Sequence, residues 1–185
     1  MKMFAIRPLQ QLNLVDFQRI ASGYVSNFKY EVTWKDIEDH VSFDLKLTRL
    51  DKPYYKIWEH DEEDLQRYTQ LLNENYSFGA YEDDVLVGLI LAERHQWNDS
   101  VWVWEFHVEE TYRGLGIGKQ LMICVVEKAK ADGFRTIVCE TQNTNVPAIQ
   151  IYRNLGFCVE GIDISYYSNE DYPYGEIAIF MKRSL

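Results

Sequence analysis

The sequence has few of the residues that mark membrane, secreted or metal-binding proteins. Its 185 residues include four histidines and three cysteines, and Cys124, Cys139 and Cys158 are not clustered as metal ligands usually are. No apolar run reaches the roughly 18 residues of a membrane span, and the N-terminal segment lacks the apolar stretch of a signal peptide. We therefore expect a cytoplasmic protein with buried thiols and no bound metal.

Basic residues are also scarce relative to acidic ones. Lysine and arginine number 19 against 29 aspartates and glutamates, which gives a net charge of -10. Such a surface repels nucleic acid and anionic membranes and attracts cations, so we expect neither of the first two as a partner. The charge could also serve solubility alone. An apolar fraction of 46% argues against disorder, and the length favours one domain over residues 1–185.

The hydrophobic patterns after residue 75 predict a mixed α/β fold. Three strand-like runs separated by short turns indicate an antiparallel meander, and they span residues 77–83, 85–97 and 101–108. A helical pattern from Ile117 to about Asp132 then leads to another strand. A strand, helix and strand in succession imply one parallel pair. In residues 23–58 the alternation of apolar and polar residues is less clear, and we expect irregular structure with short strands there.

The most informative stretch is VWVWEFHVEETYRGLGIGK, residues 101–119. Where its strand gives way to a helix, alternate glycines stand between two cations, in the order Arg113, Gly114, Gly116, Gly118 and Lys119. Glycines let main-chain N–H groups turn toward a ligand without a Cβ atom in the way. The start of a helix adds positive potential. The pattern therefore predicts a cradle for a phosphate or pyrophosphate.

Two common phosphate-binding patterns fail at this turn. A P-loop would need glycine in place of Arg113, and Ser or Thr in place of Gln120. The dinucleotide fingerprint G-x-G-x-x-G would need its third glycine at Lys119 or Leu121. ATP and dinucleotides are therefore disfavoured, although a nucleotide-binding protein stays open as an alternative.

Two ordered motifs carry a family resemblance. The R-x-x-G-x-G order of Arg113, Gly116 and Gly118 resembles the acetyl-CoA signature of the GNAT N-acetyltransferases. About 30 residues later, the family pattern N-x-x-A-x-x-x-Y-x-x-x-G-F is matched by Asn145, Ala148, Tyr152, Gly156 and Phe157. The segment ETQNTNVPAIQIYRNLGF and the terminal YGEIAIF are similar to the streptothricin acetyltransferase branch. The likeness covers residues 80–185 as the acetyl-CoA-binding core and leaves residues 1–79 as a variable, substrate-side region.

The resemblance implies a fold and a set of cosubstrate contacts. The GNAT fold has a mixed, mostly antiparallel central sheet, a parallel strand pair splayed to form the acetyl-CoA cleft, and helices on both faces. Strand residues would pair with the pantetheine arm, with a bulge freeing donors for the thioester, and the glycine turn would hold the pyrophosphate. The implied contacts are Phe106, His107, Val108, Arg113, Gly114, Leu115, Gly116, Ile117, Gly118, Lys119, Asn145 and Tyr152.

Candidate catalytic groups also follow from the resemblance. Tyr152 matches the family's general acid, which protonates the departing CoA thiolate, although a tyrosine can simply pack on its helix. Glu105 has the family-like position of a base that acts through water; Glu140 on the next strand competes for that role. Glu105 could instead anchor a cationic acceptor. If Glu105 and Phe106 point to opposite faces, only one of the two can point into the cleft. His107 is expected to pack or to hydrogen-bond structurally.

The implied reaction is direct transfer of the acetyl group of acetyl-CoA to a primary amine of a small cationic acceptor. A streptothricin-type antibiotic is one candidate acceptor. Aromatic and acidic side chains suit an organic cation. Beyond residue 80, the parts expected to build the acceptor site supply Trp102, Trp104, Tyr166, Tyr167, Glu170, Asp171 and Tyr172. The alternatives are a protein or peptide N-acetyltransferase and a non-catalytic acetyl-CoA sensor. Members of the family often pair through their C-terminal strands, so a homodimer is a further expectation.

Overall fold

The structure is a computed structural model that describes residues 4–185. In chain order, the helices and strands are β1 (Ala5–Pro8), α1 (Leu14–Ile20), β2 (Gly23–Ile37), β3 (His40–Ile57), α2 (Glu62–Leu71), β4 (Phe78–Glu82), β5 (Val85–His95), β6 (Ser100–Val108), α3 (Ile117–Ala131), β7 (Thr136–Gln142), α4 (Val146–Asn154), β8 (Cys158–Asp163) and β9 (Ala178–Ser184). Seven strands form one sheet in the order β1-β4-β5-β6-β7-β9-β8, and β2 pairs with β3.

The large sheet confirms the predicted fold class. Strands β4, β5 and β6 pair antiparallel in succession, as the predicted meander requires, and β1 pairs antiparallel with β4. Strand β7 pairs parallel with β6 from Ser100↔Thr136 to Val103↔Cys139. Strand β6 itself continues to Val108. The sheet is therefore mixed and mostly antiparallel, and its parallel pairing covers only the first half of β6.

A β-bulge interrupts β6, as the resemblance implied. Leu91 is opposite Glu105 and Ala92 is opposite Val103, so Trp104 is an extra residue on β6. An extra residue disrupts the ladder locally and bends the strand. Trp104 and Glu105 consequently lie on the same face of the sheet.

The helices that precede the large sheet begin at side-chain caps. The Asn13 carboxamide accepts a hydrogen bond from the N–H of Asp16 at 2.8 Å at the start of α1. Asp61 caps α2 by accepting from the N–H groups of Glu63 and Asp64, and the Asp64 carboxylate accepts from the Asp61 N–H in return. These bonds satisfy main-chain donors that have no partner within the helix.

The chain forms two compact units, and the first comprises residues 4–22, 57–139 and 183–185. Its sheet has helices on both faces. Leu89 and Leu91 of β5 pack in one apolar cluster with α1 and α2, whereas a Cβ atom on Gly88 would lie 3.3 Å from Ile117 of α3. Side chains of a strand alternate between faces, so α1 and α2 cover one face and α3 covers the other.

The second unit comprises residues 23–56 and 140–182. Its β2 and β3 have 15 and 18 residues, so the expectation of irregular structure and short strands there is wrong. Most residues of both strands are exposed, and the sequence therefore lacks the alternation that marks a half-buried strand. The N–H of Tyr30 in β2 donates to the Asn143 carbonyl at 2.9 Å, and the side-chain amide of Asn143 donates to the Tyr30 carbonyl at 2.8 Å.

Within residues 4–185, no helix is long and apolar enough to cross a membrane. The same residues contain no group of three or more His, Cys, Asp or Glu side chains that could hold a metal ion. The three cysteines are free thiols. Cys139 is buried as expected, but Cys124 is half-buried and Cys158 is exposed, because Cys158 starts β8, the last strand of the sheet.

Candidate active site

Helix α3 begins at two glycines in the left-handed conformation. Gly114 has φ +78° and Gly116, the N-cap residue, has φ +81°. A Cβ atom added to either would meet nothing within 4 Å, so the backbone conformation and not the space requires glycine. The N–H groups at the start of this 15-residue helix carry the positive end of its dipole. This geometry suits an anion, as the sequence predicted.

Gly118 brings the first turn of α3 against the end of β6. A Cβ atom at Gly118 would lie 3.1 Å from Cζ of Phe106 and 3.8 Å from Cγ2 of Val108. The absence of a side chain therefore permits the close approach of helix and strand. The structure thus brings together the strand half and the turn half of the predicted cosubstrate site.

The two cations of the turn are exposed. Arg113 Nε donates a hydrogen bond to the carbonyl of Val108 at 3.0 Å, which ties the turn to the end of β6. Leu115 is 50% exposed and Ile117 only 1% exposed. Ile117 can therefore contact a ligand only through its main chain, whereas Arg113 and Lys119 can present charge.

The side chain of Glu105 lies on the opposite face of β6, toward α2. Its Oε1 accepts a hydrogen bond from the Tyr68 hydroxyl at 2.6 Å, and its Oε2 lies 2.6 Å from His107 Nε2. Phe106 faces α3 instead, as its approach to Gly118 shows. Glu105 and Phe106 thus point to opposite faces of β6.

Glu105 is held in its ionised form. Burial raises its pKa, but the hydrogen bond and charge of His107 and the hydrogen bond of Tyr68 outweigh that effect, so the pKa lies below the ordinary 4.5. Burial, followed by the charge of Glu105, raises the pKa of the Tyr68 hydroxyl. At neutral pH this arrangement is a buried carboxylate with a neutral phenol on one oxygen and an imidazole on the other.

Sequence reasoning missed two members of this cluster. Tyr68 lies on the apolar stripe of α2, a position typical of a residue that only packs in the core. His60 stacks on Phe17 with ring centroids 4.1 Å apart, its Nε2 lies 3.2 Å from the carbonyl oxygen of Ala21, and its charge contributes to lowering the pKa of Glu105. The signal in the sequence was Tyr68 itself: a hydroxyl-bearing ring on the buried stripe of α2 needs a hydrogen-bond partner.

The second motif folds within the second unit. The Asn145 carboxamide accepts from the N–H of Ala148 at 3.2 Å, which confirms Asn145 as the cap of α4. Tyr152 is 7% exposed, and its ring lies 5.7 Å from that of Phe157. Glu140 accepts a hydrogen bond from the Tyr167 hydroxyl.

Trp104, a predicted part of the acceptor wall, already has a cation beside it. Its Nε1 donates to Glu93 at 2.8 Å, and the Arg67 guanidinium lies 5.0 Å from its ring centroid. A cation at that distance interacts favourably with an indole face. An acceptor cation would therefore have to compete with Arg67 for Trp104.

The tail loop uses one of its predicted acceptor carboxylates internally. Asp171 accepts from the Tyr167 N–H at 2.8 Å and from the Ser168 hydroxyl at 2.7 Å, so it shapes the loop. Sequence reasoning missed Glu176, which accepts from Lys56 Nζ at 2.6 Å and from the Tyr54 hydroxyl at 2.9 Å. No local pattern links residues 120 positions apart.

Comparison with protein families identifies a match over most of the chain. The model of the Acetyltransferase (GNAT) family matches residues 45–157. Streptothricin acetyltransferase A of Bacillus subtilis (strain 168) is 32% identical over 133 residues, which are 71% of this chain and 74% of that protein.

Two solved structures share the fold over nearly the whole chain. A nourseothricin acetyltransferase has a TM-score of 0.75 and 26% identity, with 98% of both chains covered. A Bacillus anthracis protein, solved in complex with acetyl coenzyme A, has a TM-score of 0.77 and 24% identity, with 99% of both chains covered. The fold predicted from the two motifs is thus confirmed beyond the residues that carry them.

Proposed function

Because the chain belongs to the GNAT acetyltransferase family, we propose that it moves the acetyl group of acetyl-CoA directly to a primary amine of a small cationic acceptor of the streptothricin type. One observation carries the proposal: a left-handed glycine turn opens α3 immediately beside the bulged strand β6. The streptothricin acetyltransferase of Bacillus subtilis supports this choice of acceptor.

The glycine turn is the proposed pyrophosphate site. Main-chain N–H groups from Arg113 to Lys119 surround the start of α3, where an anion gains from the helix dipole. Arg113, anchored on the Val108 carbonyl, and the exposed Lys119 supply charge at its rim. The contribution of Leu115 and Ile117 is through their main chain.

The second half of β6 is the proposed site of the pantetheine arm. Strand β7 pairs with β6 only as far as Val103, and the bulge at Trp104 follows at once. By resemblance to the family, main-chain groups of Phe106, His107 and Val108 run beside the arm, and one donor polarises the thioester carbonyl. Such a donor stabilises the oxyanion of the tetrahedral intermediate.

Transfer requires two proton movements. The acceptor ammonium, with a pKa of roughly 10.4 if it resembles lysine, must lose a proton before its nitrogen attacks the thioester carbon. The C–S bond then breaks, and the thiolate takes a proton. We assign the first movement to a system that includes Glu105 and the second to Tyr152. Asn145 serves as the cap that starts the helix of Tyr152.

Charge supports a cationic acceptor. The net charge of -10 favours the approach of cations, and Glu105 supplies an ionised carboxylate beside the proposed thioester position. We propose that residues 1–185 act as one acetyltransferase domain, with residues 80–185 on the cosubstrate side. A cytoplasmic location fits the three free thiols. A homodimer, proposed by family resemblance alone, is testable by sedimentation.

A thiol-release assay tests the proposed function. Acetyl-CoA would be incubated with the protein and with streptothricin, an aminoglycoside, a polyamine, free lysine or a basic peptide. We expect CoA release that depends on streptothricin and rises with pH, and mass spectrometry should find one added acetyl group on its amine. Release with the basic peptide alone would favour protein acetylation. Binding of acetyl-CoA without release for any amine would indicate a sensor.

A further inference from the structure

His107 stands in a hydrogen-bonded chain that the proposed mechanism does not yet use. Its Nε2 lies 2.6 Å from Oε2 of Glu105, and Oε1 of the same carboxylate accepts from the Tyr68 hydroxyl at 2.6 Å. Because an ionised carboxylate only accepts hydrogen bonds, the neutral imidazole must carry its proton on Nε2. Its other nitrogen, Nδ1, then has the basic lone pair.

Glu105 is poorly suited to take a proton from the acceptor itself. Both of its oxygens already accept hydrogen bonds, and its pKa lies below the ordinary 4.5. A proton acceptor works best when its pKa is close to the working pH. The Nδ1 lone pair of His107, by contrast, takes part in neither of these hydrogen bonds.

We propose that His107 accepts the proton of the acceptor ammonium through Nδ1, and that Glu105 is a positioning residue that fixes the ring and its tautomer. This inference rests on the proposed acetyl transfer. The ammonium N–H bond breaks, Nδ1 takes the proton, and the amine lone pair attacks the thioester carbon. The imidazolium then returns its proton to solvent, while the CoA thiolate is protonated separately.

The surroundings of the pair favour this assignment. Opposite His107 and Glu105 on β5 stand the apolar Leu89 and Leu91, and the side chains of the pair are only 18% and 15% exposed. An ionised carboxylate at 2.6 Å stabilises the imidazolium that the step creates. The other charged and titratable groups on the elements around this face include His60, Asp64, Arg67 and Tyr68 around α2, Asp16 and Arg19 of α1, Glu93 of β5, and Glu109, which pairs with Arg19.

Three variants test the assignment through the pH dependence of kcat/KM. In His107→Gln the side-chain amide can still donate to Glu105 but cannot take a proton; we expect a loss of roughly 100-fold or more at neutral pH and disappearance of the rising limb near neutrality. Glu105→Gln can still accept from Nε2, so it should keep that limb with a smaller loss. Tyr68→Phe is the matched control, because it removes the bond to Oε1 and leaves His107 in place.

Two measurements separate chemistry from folding. Acetyl-CoA affinity and the melting temperature should be unchanged in His107→Gln. In His107→Ala, added imidazole should restore acetylated amine, measured by mass spectrometry, in proportion to the neutral imidazole present. If imidazole restores the activity of His107→Ala without changing its acetyl-CoA affinity or its melting temperature, the rescue is chemical and not structural.

The outcomes separate the inference from the function on which it rests. If the wild-type protein acetylates no amine, the proposed function fails and this inference fails with it. If the wild type is active and His107→Gln keeps its rate and its pH profile, the inference alone is overturned. A larger loss in Glu105→Gln than in His107→Gln, with no imidazole rescue of His107→Ala, would make Glu105 the direct base.

Discussion

Helix α3 carries a glycine of nearly identical conformation at each end. Gly116 at its start has φ +81° and Gly133 just after its end has φ +80°, and an added Cβ atom would meet nothing within 4 Å at either position. The substitutions Gly116→Ala and Gly133→Ala therefore impose the same kind of backbone strain without a steric clash. Only Gly116 belongs to the proposed pyrophosphate turn.

The expected stability loss is the same for both variants. The left-handed conformation costs an L-residue roughly 1–2 kcal/mol, and the smaller entropy of the unfolded chain returns about 0.4–1 kcal/mol. A net loss of about 1 kcal/mol lowers the melting temperature of a chain of this size by roughly 2–4 °C. Thermal unfolding followed by circular dichroism without ligand would measure it.

The expected binding loss differs between the two variants. Relief of the strain at Gly116 would rotate the N–H groups proposed to hold the pyrophosphate, and a hydrogen bond to a charged group contributes roughly 1.5–3 kcal/mol. Gly116→Ala should therefore weaken acetyl-CoA binding by roughly 10- to 100-fold, whereas Gly133→Ala should bind normally. Isothermal titration with acetyl-CoA gives both affinities directly.

Two results would refute this reasoning. Unchanged acetyl-CoA affinity in Gly116→Ala would mean that the turn does not hold the pyrophosphate through its backbone. An equal loss of affinity in Gly133→Ala would mean that general destabilisation of α3 explains the effect.

Three further expectations follow from the caps, the tyrosine and the carboxylate. Tyr152→Phe should lower kcat by roughly 100-fold or more while acetyl-CoA affinity is kept; an intact rate in the thiol-release assay would remove Tyr152 as the acid. Asp61→Ala removes the cap of α2 and should cost about 1 kcal/mol, whereas Asp61→Asn, measured by the same urea unfolding, should cost much less. The pKa of Glu105 is lowered in the folded protein, so its ionisation stabilises the fold above the unfolded value of about 4.5, and this contribution is lost as pH falls through the folded pKa. Urea unfolding between about pH 6 and pH 3 should show a steeper loss in the wild type than in Glu105→Gln, and parallel curves would contradict the sign of the shift.

The cosubstrate half of the fold could be predicted because its signals are local. Glycines at Gly114 and Gly116 are required by the left-handed backbone itself, so the sequence reveals the turn directly. The strands around it are apolar runs bounded by turns, and α4 begins at its cap, Asn145. Each of these features depends on residues a few positions apart.

The features that could not be predicted depend on contacts between residues that are distant in sequence. Glu105 and Tyr68 meet across 37 positions, so the hydrogen bond that completes the carboxylate's surroundings leaves no local pattern. The long strands β2 and β3 are mostly exposed and carry charged residues on both sides, so their alternation is weak. Cys158 lies in an apolar segment but at the sheet's edge, and sequence position alone does not reveal an edge.

The extra residue at Trp104 has a consequence for how this region tolerates change. Before it, Val103 faces α3; after it, Phe106 faces α3 again, with Trp104 and Glu105 both turned the other way. The bulge thus shifts the phase of the strand by one residue. If the strand were straightened with every residue kept, Glu105 and His107 would move to the face of α3 and Phe106 would turn toward α2, whereas deleting Trp104 would remove the bulge and leave all three on their present faces. The faces of Glu105, Phe106 and His107 therefore depend on the accommodation of Trp104 as a bulge.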